Sequence, residues 1–196
     1  MAAPKILVFA GSIRTGSFNA KLAALAAKEF ALAGAEVTHI SLVDYPMPIY
    51  DGDLEARSGQ PEHAVQLKQM MMLHQGVFIV SPEYNASITP LLKNTLDWVS
   101  RVRSGREPAL AAYKNRVFAL GGASNGQYGA MRSILALRQV LEIGCGALVL
   151  PEQVAVNKAS EAFDDMDNLK DEQMATRLKT VVGRLIEIAR RLGEAR

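Results

Sequence analysis

The sequence predicts an α/β fold: a doubly wound three-layer sandwich around a five-stranded parallel sheet of order 2-1-3-4-5. Three observations carry this. Strand-like segments recur five times, most of them short apolar runs, helical patterns separate them, and loops rich in glycine, hydroxyl and amide groups follow the first, third and fourth. Unbroken apolar runs of this length read as strands buried on both faces. Their alternation with helices calls for parallel pairing through right-handed crossovers. Five strands suit the order 2-1-3-4-5 better than a six-stranded arrangement. At 196 residues, with no composition shift or internal repeat, the chain is expected to form one domain over 1–196.

Lys5 to Ala10 is the first strand, and the loop Gly11–Asn19 follows it. Ser17 or Asn19 can cap the next helix, on which Leu22, Leu25, Ala26 and Phe30 share one face while Lys21, Lys28 and Glu29 lie off it. Gly34 ends that helix, and Glu36 to Ile40 is a β-branched second strand. Ser41 to Gln60, with Pro46, Pro48 and three aspartates, reads as a long connector. A helix then runs from Pro61 and Glu62 to about Leu73, and Gly76–Val80 is the third strand.

Ser81 to Ile88 is a loop, and Pro90 suits the first turn of a helix extending to Arg103. Leu91, Leu92, Leu96, Trp98 and Val99 cover more of that helix than one stripe requires, which suggests either a wide buried face or a subunit contact. Beyond the polar stretch Ser104–Asn115, Arg116–Leu120 is the fourth strand, Gly121–Gly126 a loop, Met131–Leu141 a helix and Ala147–Leu150 the fifth strand. Acidic residues cluster from Glu161 to Glu172. The apolar positions Leu178, Val181, Val182, Leu185, Ile188, Ala189 and Leu192 mark an amphipathic last helix.

Composition excludes several classes. Apolar residues make up 49% and charged residues 21%, ordinary values for a folded globular chain. The net charge of +2 carries no block of like charge, so nucleic acid is not an expected partner. No 18-residue apolar window or secretory leader is present, so no membrane partner is expected and the expected address is the cytoplasm. Cys145 is the only cysteine and reads as a small core hydrophobe. His39, His63 and His74 lack ligand spacing, so no metal site is expected.

In a sheet of this order, ligands sit beyond the carboxyl ends of the strands where the order reverses, between the first and third strands. The three polar loops fall there. Gly11–Asn19 lacks both G-x-x-x-x-G-K-[ST] and G-x-G-x-x-G, so neither a triphosphate P-loop nor a dinucleotide fingerprint is supported. It does offer Ser12, Ser17 and Asn19 as hydrogen-bonding groups, Arg14 as a bidentate cation and a helix N-terminus, a set suited to a phosphate. Pro82–Asn85 could read the edge of a flat heterocycle, and the glycines of the third loop permit close approach.

Gly11-Ser12-Ile13-Arg14-x-x-Ser17-x-Asn19, Pro82-Glu83-Tyr84-Asn85-x-Ser87-Ile88 and Leu92-Lys93-Asn94-x-x-Asp97-Trp98 together resemble the NADPH-dependent FMN reductase family, whose fold is flavodoxin-like. The resemblance covers about residues 5–150. It implies FMN as cofactor, with Ser12, Arg14, Ser17, Phe18 and Asn19 about the phosphate. By the same resemblance Pro82, Glu83, Tyr84, Asn85 and Ser87 would line the isoalloxazine, and Ser124 would approach from the third loop. The implied activity passes hydride from NADPH or NADH via flavin N5 to small-molecule electron acceptors: quinones, azo compounds, free flavin or metal oxyanions such as chromate. No catalytic acid–base residue is needed. The family also implies a homodimer or homotetramer. Ala86 and Thr89-Pro90 depart from its usual pattern. Two other classes stay open at this point: a flavodoxin-type electron carrier, and a flavin-binding regulatory protein without turnover.

Overall fold

The computed structural model describes residues 3–194, so both outer ends of the expected domain lie outside the described residues. The chain runs β1 (Lys5–Ala10), α1 (Phe18–Leu32), β2 (Glu36–Ile40), α2 (Gly52–Ser58), α3 (Glu62–Leu73), β3 (Gly76–Val80), α4 (Pro90–Arg101), β4 (Val117–Ala123), α5 (Met131–Gln139), β5 (Leu148–Val156), α6 (Ala159–Ala162) and α7 (Glu172–Glu194). The strands form one parallel sheet in the expected order β2-β1-β3-β4-β5.

Alternation along the strands builds two cores. Ile6, Val8, Ala10, Phe78 and Val80 face α1 and α7, where Leu22, Ala26, Phe30, Val181 and Leu185 meet them. Leu7, Phe9, Val77 and Ile79 face the other way, onto Leu67, Met71, Leu92, Leu96, Ile134 and Leu137 of α3, α4 and α5. Both faces of the central strands are therefore fully covered, which is why their sequences are unbroken apolar runs rather than alternating ones. Phe30 and Phe78 meet edge to face across the first core, with centroids 5.7 Å apart.

Several expectations are corrected. The connector Ser41–Gln60 is not irregular throughout: Leu42–Asp44 is a 3-10 turn, and α2 follows. Asp51 caps α2 by accepting from the N–H groups of Asp53 and Leu54, and Gly59 (φ 73) closes it in the left-handed region. α4 stops at Arg101 rather than Arg103. β4 runs on to Ala123, so Gly121 and Gly122 are strand residues rather than loop. α5 ends at Gln139 and gives way to a π-helical turn over Val140–Gly144. Cys145 closes that turn, ahead of the fifth strand, and is buried; burial pushes its thiol up to about 11. β5 has nine residues, more than twice the four expected, and a register shift opposite Phe118–Leu120 accompanies Pro151 on this edge strand, where a proline is tolerated.

The wide apolar face of α4 is used within the chain. Trp98 is fully buried beside Ala64 and Val102, its indole N–H donating to the Pro48 carbonyl at 2.7 Å. Asn94 accepts from the Tyr50 N–H and donates to the same Pro48 carbonyl, each at 2.8 Å. Trp98 and Asn94 thus clamp the connector, and the breadth of the α4 face is no argument for a subunit contact. The acidic stretch is structural as well. Asp164 accepts from the N–H groups of Asn168, first of all, and Met166, which holds its carboxyl below the usual range, while Asp167 and Asn168 reach Lys21 and Lys28 of α1.

Candidate functional site

The loops leaving β1, β3 and β4 meet at the carboxyl edge of the sheet, and each is fastened to another. The Gly11 N–H donates to the Val80 carbonyl, and the Gly11 carbonyl accepts from Thr89 Oγ1, both at 2.8 Å. Thr89 is also the N-cap of α4, accepting from the Leu92 N–H at 3.2 Å. A side chain at Gly11 would stand 2.9 Å from Leu92 Cβ, so the first loop lies directly against α4 because glycine is there.

Within the first loop, Ser12 Oγ accepts from the Arg14 N–H at 3.3 Å. Ser17, nearly buried, caps α1 through the Ala20 N–H at 3.4 Å, so Ser17 and not Asn19 is the cap. The backbone N–H groups of Phe18 and Asn19 open α1 with no acceptor among the described residues. Together with the helix dipole, worth about half a positive charge at this end, they form an anion site. Arg14 stands exposed over the loop. Its guanidinium donates to the carbonyls of Thr15 and Gly16 at 3.2 Å each and lies 5.8 Å from the centroid of the Phe18 ring.

The Asn19 side chain turns away from this site into the core. It accepts from the Ala123 N–H and donates to the Ala123 carbonyl, each at 2.9 Å, which ties the start of α1 to the end of β4. At Gly122, beside it, a side chain would come within 2.8 Å of the Ser81 carbonyl and of Ala130. The second and third loops are thereby held at backbone contact.

In the second loop, Tyr84 and Ser87 exchange two backbone hydrogen bonds of 3.0 Å around Asn85 (φ 49) and Ala86 (φ 64). Two consecutive left-handed residues make a tight turn of the primed kind, with Tyr84 and Asn85 exposed at its tip. Pro82 is buried, and its carbonyl accepts from Ser133 Oγ at 2.7 Å. The Glu83 side chain is turned away from solvent. Its carboxylate accepts from the N–H groups of Arg132 and Ser133 at 3.1 and 3.3 Å and pairs with the Arg132 guanidinium. Ala130 precedes α5 with φ 67 and offers no side-chain cap, so Glu83 supplies that cap from another loop. In the third loop Ser124 Oγ accepts from the Gly126 N–H at 3.2 Å within its own turn, and the Ser124 N–H donates to the Val156 carbonyl at 2.9 Å.

Between the first two loops and the start of α4 lies a cleft of 330 Å³ lined by Gly11, Ser12, Ile13, Arg14, Tyr84, Thr89, Pro90 and Leu91. Its surface is mostly apolar, and its size falls in the range of small-ligand sites, about 300–1,000 Å³. Ser12, Arg14 and Tyr84 of the expected set meet there, with Ser17, Phe18 and Asn19 opening the adjoining helix. Glu83 and Asn19 are turned to structural partners instead. Sequence reasoning missed Ile13 and Leu91 as wall residues and Thr89 as the pin between loops. A threonine before a proline at a helix start was the legible signal for Thr89; the pairing of Arg132 with Glu83 carried none.

The sequence model of the NADPH-dependent FMN reductases matches residues 4–161. The chain is 31% identical over 171 residues to an NAD(P)H-dependent FMN reductase of Pseudomonas aeruginosa, covering 86% of each chain. It is 35% identical over 138 residues to the quinone reductase of Escherichia coli, covering 70% of this chain and 69% of that one. Among solved structures it superposes on FerB, an NAD(P)H:acceptor oxidoreductase of Paracoccus denitrificans, with a TM-score of 0.78 and 26% identity over 96% of this chain and 98% of that one. With the sheet order in agreement, the chain belongs to the NADPH-dependent FMN reductase family.

Proposed function

We propose that the chain is an NAD(P)H-dependent FMN oxidoreductase that delivers electrons to quinones, with azo compounds, free flavin and chromate as further acceptors. The observation that carries this is the adjacency of the anion site at the start of α1 to the 330 Å³ cleft, a phosphate seat beside a slot for a flat ring. The relatives named for quinone reduction support the choice of first acceptor.

The residues fit FMN. The N–H groups of Phe18 and Asn19, the Ser12 hydroxyl and the Arg14 guanidinium would hold the phosphate. The ring would lie between Ile13 and Tyr84 and the start of α4, with Pro82, Asn85 and Ser87 shaping that wall and Ser124 closing the third side. Bound FMN supplies the redox chemistry, taking hydride from the nicotinamide and giving electrons to the acceptor. The protein's part is placement. The Gly11–Thr89 and Asn19–Ala123 links fix the loops relative to each other before any ligand arrives, and the Glu83 cap holds the second loop onto α5. No proton-transfer residue is assigned, because orientation is what such a reaction asks of the chain.

Ile13 and Tyr84, both 55% exposed, leave the rim of the cleft apolar. That supports a homodimer as the least assembly, with a second copy covering the rim. Light scattering showing a monomer at micromolar concentration overturns the dimer. The activity is tested by mixing yellow purified protein with NADPH and then a quinone. Bleaching followed by steady turnover is expected, and an inert spectrum overturns the enzyme reading.

A further inference from the structure

A second cleft flanks the first loop on its other side. It measures 380 Å³ and lies between the carboxyl ends of β1 and β2, lined by Ala10, Ser12, Ala20, His39, Ile40, Ser41, Asp44 and Tyr45. Ser12 borders both clefts, so the two adjoin across the first loop. Of the assigned flavin residues, only Ser12 lines it.

Its chemistry is that of a ribonucleoside site. Ala10, Ile40 and the Tyr45 ring provide an apolar surface for a base. The Asp44 carboxylate and the His39 imidazole reach the rim with no hydrogen-bond partner among the described residues. Burial holds His39 below its ordinary pKa, so at neutral pH the ring is an uncharged donor and acceptor. The Ser41 hydroxyl accepts from the Val43 N–H at 3.3 Å and keeps its own proton to donate. A carboxylate facing vicinal hydroxyls accepts two hydrogen bonds, whereas facing a phosphate it repels.

We propose that this β1–β2 cleft takes the adenosine end of the nicotinamide dinucleotide, with the Asp44 carboxylate on the ribose hydroxyls. The proposal rests on the reductase reading and names a subsite for its co-substrate. A nicotinamide that reaches the flavin carries its adenosine some way off, and the cleft adjoining the flavin slot at Ser12 is placed to take it. Because Asp44 faces the ribose, a free 2′-hydroxyl is accepted more readily than a 2′-phosphate.

Calorimetry of the FMN-loaded protein with ADP-ribose, and with its 2′-phosphorylated form, tests this without turnover. ADP-ribose is expected to bind wild type, more tightly than the 2′-phosphorylated form, and Asp44→Ala is expected to weaken ADP-ribose about tenfold, the loss of one charge-assisted contact. The gap between the two ligands should narrow in the variant. Asp44 is exposed, and a thermal melt matching wild type checks that the variant folds; His39→Gln gives a second, independent loss. No ADP-ribose binding, a tighter 2′-phosphorylated form, or binding unchanged in Asp44→Ala each overturns the proposal. A protein that binds ADP-ribose through Asp44 but oxidises neither nicotinamide overturns the reductase reading and leaves the cleft assignment standing. A protein that turns over NADH while Asp44→Ala binds ADP-ribose as wild type does the reverse.

Discussion

The side-chain amide of Asn19 and the backbone of Ala123 form a closed pair of hydrogen bonds, 2.9 Å each, between residues 104 positions apart. One end sits in the first turn of the helix that opens the anion site, and the other terminates the strand that carries the third loop. The pair is buried, so its groups have no water to fall back on. Asn19→Leu strands both Ala123 groups, each at about 1–3 kcal/mol. Urea denaturation of the apoprotein is expected to show a loss of about 2–4 kcal/mol. Asn19→Asp keeps the bond from the Ala123 N–H and sets a carboxylate against its carbonyl, so it should cost at least as much as losing one bond. A loss below 1 kcal/mol in Asn19→Leu would mean that the link is incidental.

The sheet order was legible because β1, β3, β4 and the start of β5 are short apolar runs, β2 is β-branched, and α1, α2 and α4 carry caps. The interior of the connector was harder to read. Asp51 and Gly59 bracket α2 as a cap and a terminator should, yet the helix has no fully buried residue and so shows no periodic stripe. β5 was underread because Pro151 looks like a stop, and only the register shift beside Phe118 shows how the strand passes it. At the site, residue types were legible and directions were not. Asn19 and Glu83 lie in the right loops, but their partners Ala123 and Arg132 are far off in sequence, and no local pattern says which way a side chain turns.

Glu83 joins the second loop to α5 by capping it. Glu83→Ala removes the acceptor for the Arg132 and Ser133 N–H groups, a change expected to cost about 1–2 kcal/mol by the loss of the cap. Glu83→Gln retains an acceptor oxygen and should recover about half. If Ala and Gln destabilise equally, the charge on Arg132 rather than the cap carries the interaction.

Ala86 occupies the second left-handed position of the Tyr84–Ser87 turn, at φ 64, where a Cβ costs about 1–2 kcal/mol. Ala86→Gly relieves that cost and adds back some unfolded-state freedom, so a net gain of about 0.5–1 kcal/mol is expected. Ala86→Val should lose more than 1 kcal/mol, because branching at Cβ tolerates this region least. Thermal melts of the three proteins check the order Gly, Ala, Val.

Arg14 is the exposed cation over the anion site, and its present partners are the carbonyls of its own loop. Arg14→Ala should leave the apoprotein's stability within 0.5 kcal/mol, as ordinary for an exposed side chain. FMN should bind about ten- to a hundredfold more weakly, the equivalent of about 1.5–3 kcal/mol for a charge-assisted contact. Riboflavin, which lacks the phosphate, should bind both proteins alike. Equal FMN affinity in the two proteins by fluorescence titration would remove Arg14 from the phosphate site.

His74 is expected to contribute to the acid sensitivity of the fold. It is buried at the opposite end of the sheet from the site, its Nδ1 2.6 Å from the Met70 carbonyl and its Nε2 2.8 Å from Thr38 Oγ1. Burial holds its pKa below the ordinary 6.5, outweighing the upward pull of the Met70 carbonyl. A histidine depressed in the folded state binds protons more readily when unfolded, so its contribution is fully present above the unfolded value of 6.5. It is lost as pH falls below that toward the folded pKa. His39, also lowered by burial, adds a contribution of the same sign. Unfolding free energy measured in urea should therefore be level from pH 8 to about pH 7 and fall below about 6.5. His74→Gln should remove much of that slope while costing stability at pH 8, where the wild-type ring is neutral and bonded on both sides. A slope left intact in His74→Gln would assign the acid sensitivity to other groups.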